Sequence, residues 1–271
     1  MKNYLDDLFG LENKVAVITG GTGLLGRVFV KVFLECGTNV VFASTDKNKA
    51  EAFVSELKDF SSRVLGVRAD VSKKEDVKEV MRSAVENFGR IDILVNNAGI
   101  AGHLSAGTIA PSFEDYPREE WDRMWAVNVT GSFLCAQEAG KEMAKTGGGS
   151  IINISSIYGM TGPDQRIYEK ESGEKFIKPV SYSAAKGAIL SLTKYLAAYW
   201  GDKNIRVNAL VPGGVFNNQD PEFVKKYSDK VPLGRMAKPD DLAGPVLFLG
   251  SEASSYMTGA FLIVDGGWLA W

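Results

Sequence analysis

The segment KVAVITGGTGLLGRVFVKVFL, residues 14–34, decides the fold. A β-branched run is followed by a glycine-rich turn and then by apolar residues at helical spacing, which is the order of a strand, a tight turn and a helix. Glycines in such a turn let backbone N–H groups approach a pyrophosphate at the positive end of the helix. The segment therefore predicts a nucleotide cradle formed by Gly20, Thr22, Gly23, Leu25 and Gly26.

The remainder of the chain repeats this alternation of short β-branched runs with longer amphipathic runs. Strands are predicted at 14–19, 39–44, 63–69, 91–96, 150–155, 205–210 and 260–265. Helices are predicted at 24–36, 73–88, 119–144, 182–200 and 239–250. The pattern predicts an α/β protein with a Rossmann-like, doubly wound parallel sheet of about seven strands, in a single domain that spans residues 1–271.

One polar stretch, PDQRIYEKESGEKFIK at 163–178, interrupts this alternation inside a strand-to-helix connection. It contains four acidic and four basic residues. Long loops in compact domains are usually functional or disordered. We expect an insertion beside the active site, and the alternative is a solvated surface loop.

The composition of the chain argues against several classes of binding partner. The net charge is -2 without a run of like charges, so neither nucleic acid nor an anionic membrane is an expected partner. The N-terminal residues carry acids and lack the continuous apolar segment of a signal peptide, which predicts a cytoplasmic protein. The two cysteines lack metal-ligand spacing, and the single histidine, His103, has no second ligand nearby, so no metal is expected and His103 is assigned to a pocket wall or the surface.

A tyrosine and a lysine mark the candidate chemistry. In YSAAK, Tyr182 and Lys186 are spaced i to i+4, which places both side chains on one helix face. A tyrosine works as a general acid or base near neutrality only if its pKa of about 10 is lowered, and a nearby lysine cation lowers it. By itself this pair occurs by chance in many helices.

The motifs together resemble those of the short-chain dehydrogenase/reductase family. They are the glycine turn, NNAG at 96–99, WAVNVTG at 125–131, the YSAAK pair and VDGG at 264–267. One departure is Leu24, which stands where shorter members carry the middle glycine, so that the turn itself fits the longer epimerases and dehydratases. The resemblance implies four catalytic residues, namely Asn128, Ser156, Tyr182 and Lys186.

The same resemblance implies the residues that hold the cofactor. Beyond the cradle they are Ser44, Thr45, Asp70, Val71, Asn97, Ala98, Gly99, Tyr182, Lys186, Val215 and Asn217, where Asn217 replaces the usual threonine. The resemblance places Asp70 and Val71 at the adenine, and Val215 and Asn217 at the nicotinamide. At the end of the second strand, Ser44 and Thr45 would not exclude a 2′-phosphate, whereas Asp46 keeps NAD possible. The expected cofactor is NADP or NAD, with NADP slightly favoured.

The implied activity is hydride transfer between a nicotinamide and a carbinol or ketone carbon. A looser resemblance to bacterial members that act on sugar-derived compounds predicts a sugar acid or polyol substrate. The expected substrate residues are Ser156, Gln165, Arg166 and Tyr182. A 3-ketoacyl reductase of lipid synthesis, with an apolar pocket, remains an alternative, as does a non-catalytic dinucleotide sensor. Family members usually pair two long helices, so a homotetramer is expected.

Overall fold

The structure is a computed structural model that describes residues 4–101, 112–173 and 176–271. Its strands are β1 (Val15–Ile18), β2 (Asn39–Ser44), β3 (Val64–Arg68), β4 (Ile93–Asn96), β5 (Gly149–Ile154), β6 (Ile205–Pro212) and β7 (Phe261–Val264). They form one parallel sheet in the order β3-β2-β1-β4-β5-β6-β7. The predicted seven-stranded, Rossmann-like parallel sheet is thus confirmed.

Helices cover both faces of this sheet. They are α1 (Tyr4–Phe9), α2 (Leu24–Glu35), α3 (Lys47–Glu56), α4 (Lys74–Phe88), α5 (Arg118–Trp125), α6 (Gly131–Lys145), α7 (Val180–Trp200), α8 (Pro221–Ser228) and α9 (Ala243–Gly250). Alternate residues of each strand face opposite layers. Val15 and Val17 pack with α4 and α6, whereas Ala16 and Ile18 pack with α2 and α9.

The strand order reverses direction at β1. This strand pairs with β2 on one side and with β4 on the other, through Val17 opposite Val41 and Val17 opposite Leu94. Ligands of open α/β sheets bind at the carboxyl ends of the strands beside such a reversal. The turns that follow β1 and β4 therefore meet at one crevice, and these are the glycine turn and the NNAG turn.

Two features of the helices depart from the sequence prediction. The predicted helix at 119–144 is divided into α5 and α6 by a π-helical turn at Ala126–Thr130. Helices α1, α3 and α8 were not predicted, because each buries too few side chains to mark a helix in the sequence: none in α1, Ala50 and Phe53 in α3, and Tyr227 in α8. No helix among the described residues is long and apolar enough to cross a membrane.

The described residues of the inserted stretch, 163–173 and 176–178, lie over the carboxyl end of the sheet. A short 3₁₀-helix, Gln165–Tyr168, buries Ile167 in a cluster with Ile157 and Tyr227. Pro179 then stands at the N-cap of α7. Proline disfavours a helical conformation for the residue before it, so the inserted stretch ends where α7 begins.

Candidate active site

The glycine turn leaves room for a ligand at the start of α2. Gly20 has a φ of +64°, and a Cβ there would lie 2.9 Å from Ala98 Cα. The N-cap of α2, Gly23, has no side-chain hydrogen bond to the first helical amides. Four of the five predicted cradle residues line the cavity, namely Gly20, Thr22, Gly23 and Leu25. Such an uncapped N-terminus fits the pyrophosphate of a dinucleotide.

The fifth cradle residue, Gly26, has a packing role. It does not line the cavity, and a Cβ at this position would lie 2.1 Å from the carbonyl oxygen of Gly20. Only glycine therefore lets the first turn of α2 lie directly against the loop.

The NNAG turn is bonded directly to the glycine turn. Thr19 Oγ1 accepts hydrogen bonds from the backbone N–H groups of Asn97 at 3.0 Å and Ala98 at 2.9 Å. The Asn97 side-chain amide donates in return to the carbonyl of Thr19 at 2.9 Å. These bonds hold the ends of β1 and β4 together, and Asn97, Ala98 and Gly99 line the same cavity as the cradle.

The end of β2 forms the part of the cavity that the sequence assigns to the adenosine ribose. Ser44 and Thr45 both line it, and the hydroxyls of Ser44 and Thr22 are 2.9 Å apart. Asp46 does not line it, because its carboxylate caps α3 by accepting from the backbone N–H of Lys49 at 3.1 Å. The carboxylate that could have favoured NAD at this position is thus engaged elsewhere.

The candidate adenine residues lie on the loop after β3. Asp70 and Val71 line the cavity. Asp70 Oδ1 accepts from the backbone N–H and the hydroxyl of Ser72, at 3.0 and 2.7 Å. Although burial acts in the opposite direction, these two bonds lower the pKa of Asp70. The carboxylate is therefore held in one orientation at the cavity edge.

Three of the four predicted catalytic side chains meet in this cavity of about 870 Å³, namely Ser156, Tyr182 and Lys186. Burial raises the pKa of the Tyr182 hydroxyl, and a hydrogen bond with Ser156 opposes that rise. Lys186 Nζ donates to the carbonyl of Ile154 at 2.8 Å, and burial followed by the nearby Lys178 lowers its pKa to about 8. The predicted nicotinamide residues, Val215 and Asn217, line the same space.

Asn128, the fourth predicted catalytic residue, lies within the π-helical turn and is buried. Its side chain makes two hydrogen bonds to the backbone of Ile100. The amide oxygen accepts from the N–H at 2.8 Å, and the amide nitrogen donates to the carbonyl at 3.0 Å. Its own carbonyl accepts from the Ser132 hydroxyl at 2.9 Å. Asn128 thus links the loop after NNAG to the helices, and it lies behind the residues that line the cavity.

The inserted stretch does not present the side chains that the sequence prediction chose. Arg166 is 84% exposed and makes two 2.8 Å hydrogen bonds to Asp164, so neither it nor Gln165 lines the cavity. The Gln165 amide instead bonds both backbone polar atoms of Lys178. The structure therefore does not bring Gln165 and Arg166 to the cavity where the sequence prediction expected them, because Asp164 holds the guanidinium at the surface.

Sequence reasoning missed Lys178 and all but Tyr168 of a set of rings, the aromatic wall. Lys178 lines the cavity with its Nζ 4.1 Å from the centre of the Tyr182 ring. The aromatic wall consists of Tyr158, Tyr168, Phe176, Phe223 and Tyr227. One available signal was the place of Lys178 immediately before Pro179, where the insertion must return to the active-site helix. His103 lies outside the described residues.

The fold and the cradle together define a Rossmann-type dinucleotide-binding protein. The sequence model of the family described as Enoyl-(Acyl carrier protein) reductase matches residues 23–269. NAD-dependent glycerol dehydrogenase of Listeria innocua is 35% identical over 271 residues, covering 97% of this chain and 96% of the relative. The chain therefore belongs to the short-chain dehydrogenase/reductase family and is an NAD(P)-dependent oxidoreductase.

Solved structures agree with this assignment. A gluconate 5-dehydrogenase from Burkholderia cenocepacia, in complex with NADP and tartrate, is 29% identical with a TM-score of 0.86, covering 99% of this chain and 100% of that one. A short chain dehydrogenase from Leptospira borgpetersenii with bound NAD+ is 35% identical with a TM-score of 0.82, covering 99% of this chain and 96% of that one. These relatives bind different nicotinamide cofactors.

Proposed function

We propose that the protein oxidises a carbinol carbon, or reduces the matching ketone, of a hydroxy acid or polyol derived from carbohydrate. The observation that carries this proposal is the convergence of Ser156, Tyr182 and Lys186 in one cavity with the nucleotide cradle. Relatives named for glycerol and gluconate support the substrate class.

Each of the three residues has a distinct part in the proposed reaction. The Tyr182 hydroxyl transfers the proton to or from the reacting oxygen, and Ser156 orients that oxygen through a hydrogen bond. The Lys186 cation favours the tyrosinate by its charge. A bound nicotinamide would supply the hydride chemistry. Asn128 has an indirect part, because its side chain holds in place the loop that follows the NNAG turn.

The cofactor proposal is a slight preference for NADP. It is supported by hydroxyl-bearing residues, Ser44 and Thr45, in the predicted ribose pocket and by the capping role of Asp46. No carboxylate among the described cavity residues stands at the end of β2 to repel a 2′-phosphate.

The decisive experiment is a turnover assay of wild type and Tyr182→Phe with gluconate, tartrate, glycerol and glucitol, each with NAD and NADP. Reduced cofactor is followed by its absorbance. We expect turnover with an acid or polyol, and a loss of several orders of magnitude in Tyr182→Phe with cofactor binding retained, since the ring stays and only the proton donor is removed. Retention of more than about a tenth of the activity would contradict the role of Tyr182.

A 3-ketoacyl reductase remains a second candidate because of the aromatic wall, which provides the apolar surface that an acyl chain requires. Tyr168 packs against Phe176 and Phe223 with ring centres 5.7 and 5.1 Å apart. The cation of Lys178, which lines the same cavity, favours a charged substrate instead. Reduction of an acetoacetyl thioester faster than oxidation of every hydroxy acid tested would favour the acyl reductase.

We also propose a cytoplasmic homotetramer. Helices α6 and α7 carry exposed aromatic side chains that would be covered by a second copy, namely Phe133, Tyr195 and Tyr199. Tyr195 and Tyr199 stack at 6.1 Å, which forms a flat apolar surface. A monomer in light scattering at micromolar concentration would refute this assembly.

A further inference from the structure

Lys178 is a cation placed over the face of the candidate catalytic tyrosine. Its Nζ lies 4.1 Å from the centre of the Tyr182 ring, closer than the 5.8 Å of Lys186. Burial lowers the pKa of Lys178 to about 8. Two lysines therefore approach the same ring, and only Lys186 belongs to the tyrosine-lysine pair that defines the site.

The backbone of Lys178 is fixed from the inserted stretch. Its N–H donates to Gln165 Oε1 at 2.9 Å, and its carbonyl accepts from Gln165 Nε2 at 3.3 Å. On the other side, Pro179 begins the approach to α7. This two-point clamp holds the start of the lysine side chain, so that the ammonium is directed at the reacting centre.

The ammonium has spare donors. In the described part of the chain its one hydrogen bond is a long one, 3.3 Å, to the carbonyl of Ala101, whereas an ammonium can donate three. Other charges near the cavity mouth pair among themselves. Lys170 lies 3.8 Å from Asp220, and Lys226 lies 2.6 Å from Glu222.

No carboxylate among the described residues forms an ion pair with Lys178. A partly buried cation without a carboxylate partner loses part of its hydration, and stacking on an aromatic ring recovers only some of that loss. A cavity that holds such a cation where the substrate binds is electrostatically complementary to an anionic group on the ligand. A single ammonium matches the single charge of a carboxylate.

We propose that Lys178 binds the carboxylate of a hydroxy-acid substrate whose reacting carbinol lies at Tyr182. Because the ammonium stands over the Tyr182 ring, the carboxylate must lie within a few bonds of the reacting carbon. This inference rests on the proposed oxidoreductase function and deepens it, since it selects acids over neutral polyols. It also assigns recognition of the substrate's negative charge to Lys178 instead of Arg166.

The test compares acids with alcohols that differ from them only at the carboxyl carbons. Tartrate is paired with threitol, and gluconate with glucitol. Binding is measured by calorimetry on protein saturated with NADH or NADPH, because a reduced cofactor cannot oxidise these ligands. Lys178→Met, which keeps the length of the side chain, and Lys178→Arg, which keeps the charge, are compared with wild type.

Lys203→Met is the matched control, because Lys203 also lies over a tyrosine ring, that of Tyr199 at 5.7 Å, but is exposed and outside the cavity. We expect wild type to bind at least one acid more tightly than its alcohol. Lys178→Met should weaken that acid about 10-fold or more, the loss of one charge-assisted contact. Lys178→Arg should retain most of the affinity, and Lys203→Met all of it.

Three results would overturn the inference. They are equal binding of acid and alcohol by wild type, unchanged acid binding in Lys178→Met, and equal losses for acid and alcohol, which would make Lys178 a packing residue. Retained binding of reduced cofactor by Lys178→Met shows that the variant is folded. Since no turnover is needed, a failed Tyr182→Phe prediction would reject the catalytic assignment and leave this binding result intact.

Discussion

Gly26 offers a direct test of how the nucleotide cradle is built, because it shapes the turn without lining the cavity. The substitution Gly26→Ala adds a Cβ that would lie 2.1 Å from the carbonyl oxygen of Gly20 and 2.8 Å from Gly21 Cα. Neither neighbour is the flexible end of a side chain, since both atoms belong to the backbone of the turn. The added methyl group can therefore be accommodated only if the cradle itself moves.

The size of the effect follows from that displacement. Ordinary contacts begin at 3.4 Å, so the turn must withdraw by about 1.3 Å. Overpacking of this kind destabilises the folded protein by about 1–3 kcal/mol. Alanine has a better helix propensity than glycine, which offsets up to ~1 kcal/mol of that loss. If the strain is relieved by the turn, the dissociation constant of the cofactor should rise about 10- to 100-fold.

The measurement is a titration of NADH and NADPH followed by the change in nicotinamide fluorescence. Gly244→Ala in α9 is the control, since a Cβ there meets nothing within 4 Å and cofactor binding should not change. Wild-type cofactor affinity in Gly26→Ala, with the melting temperature also unchanged, would refute the account of the cradle.

Three further predictions follow from the candidate site. Ser44→Asp should convert a weak NADP preference into a clear NAD preference, because a carboxylate there would repel the 2′-phosphate. If the ratio of catalytic efficiencies with the two cofactors stays unchanged, position 44 does not contact the ribose. Arg166→Ala should change the Michaelis constant of the best acid less than about 3-fold, because its guanidinium is exposed and bonded to Asp164. A rise of about 10-fold would show that Arg166 contacts the substrate. Burial lowers the pKa of Lys178 to about 8, so the ammonium is present below that pH and is lost above it. Tartrate affinity should then fall as the pH rises through about 8, until the loss matches that caused by Lys178→Met, while threitol affinity stays level. Because Lys186 also titrates near this pH, Lys178→Met should lose the acid-specific part of the pH profile.

Local sequence was sufficient for the architecture. The switch from a β-branched run to helical spacing across the glycine turn is a property of neighbouring residues, and it predicted the sheet and the crevice. The i to i+4 spacing of Tyr182 and Lys186 likewise predicted that both side chains would face one space, because helix geometry relates them directly. Helix α3 escaped prediction, since its two buried side chains make too weak a pattern.

The tertiary structure decided which charges reach the cavity. The inserted stretch carries four acidic and four basic residues, so its composition could not show which cation would find an acid within the loop. Asp164 holds Arg166 at the surface, whereas Gln165 clamps the backbone of Lys178 beside Tyr182. Such pairings depend on the path of the chain between a short 3₁₀-helix and Pro179, and residue spacing does not determine that path. Charge alone made Arg166 and Lys178 equal candidates, and only folding distinguished them, because a cation's role depends on which anion lies within its reach.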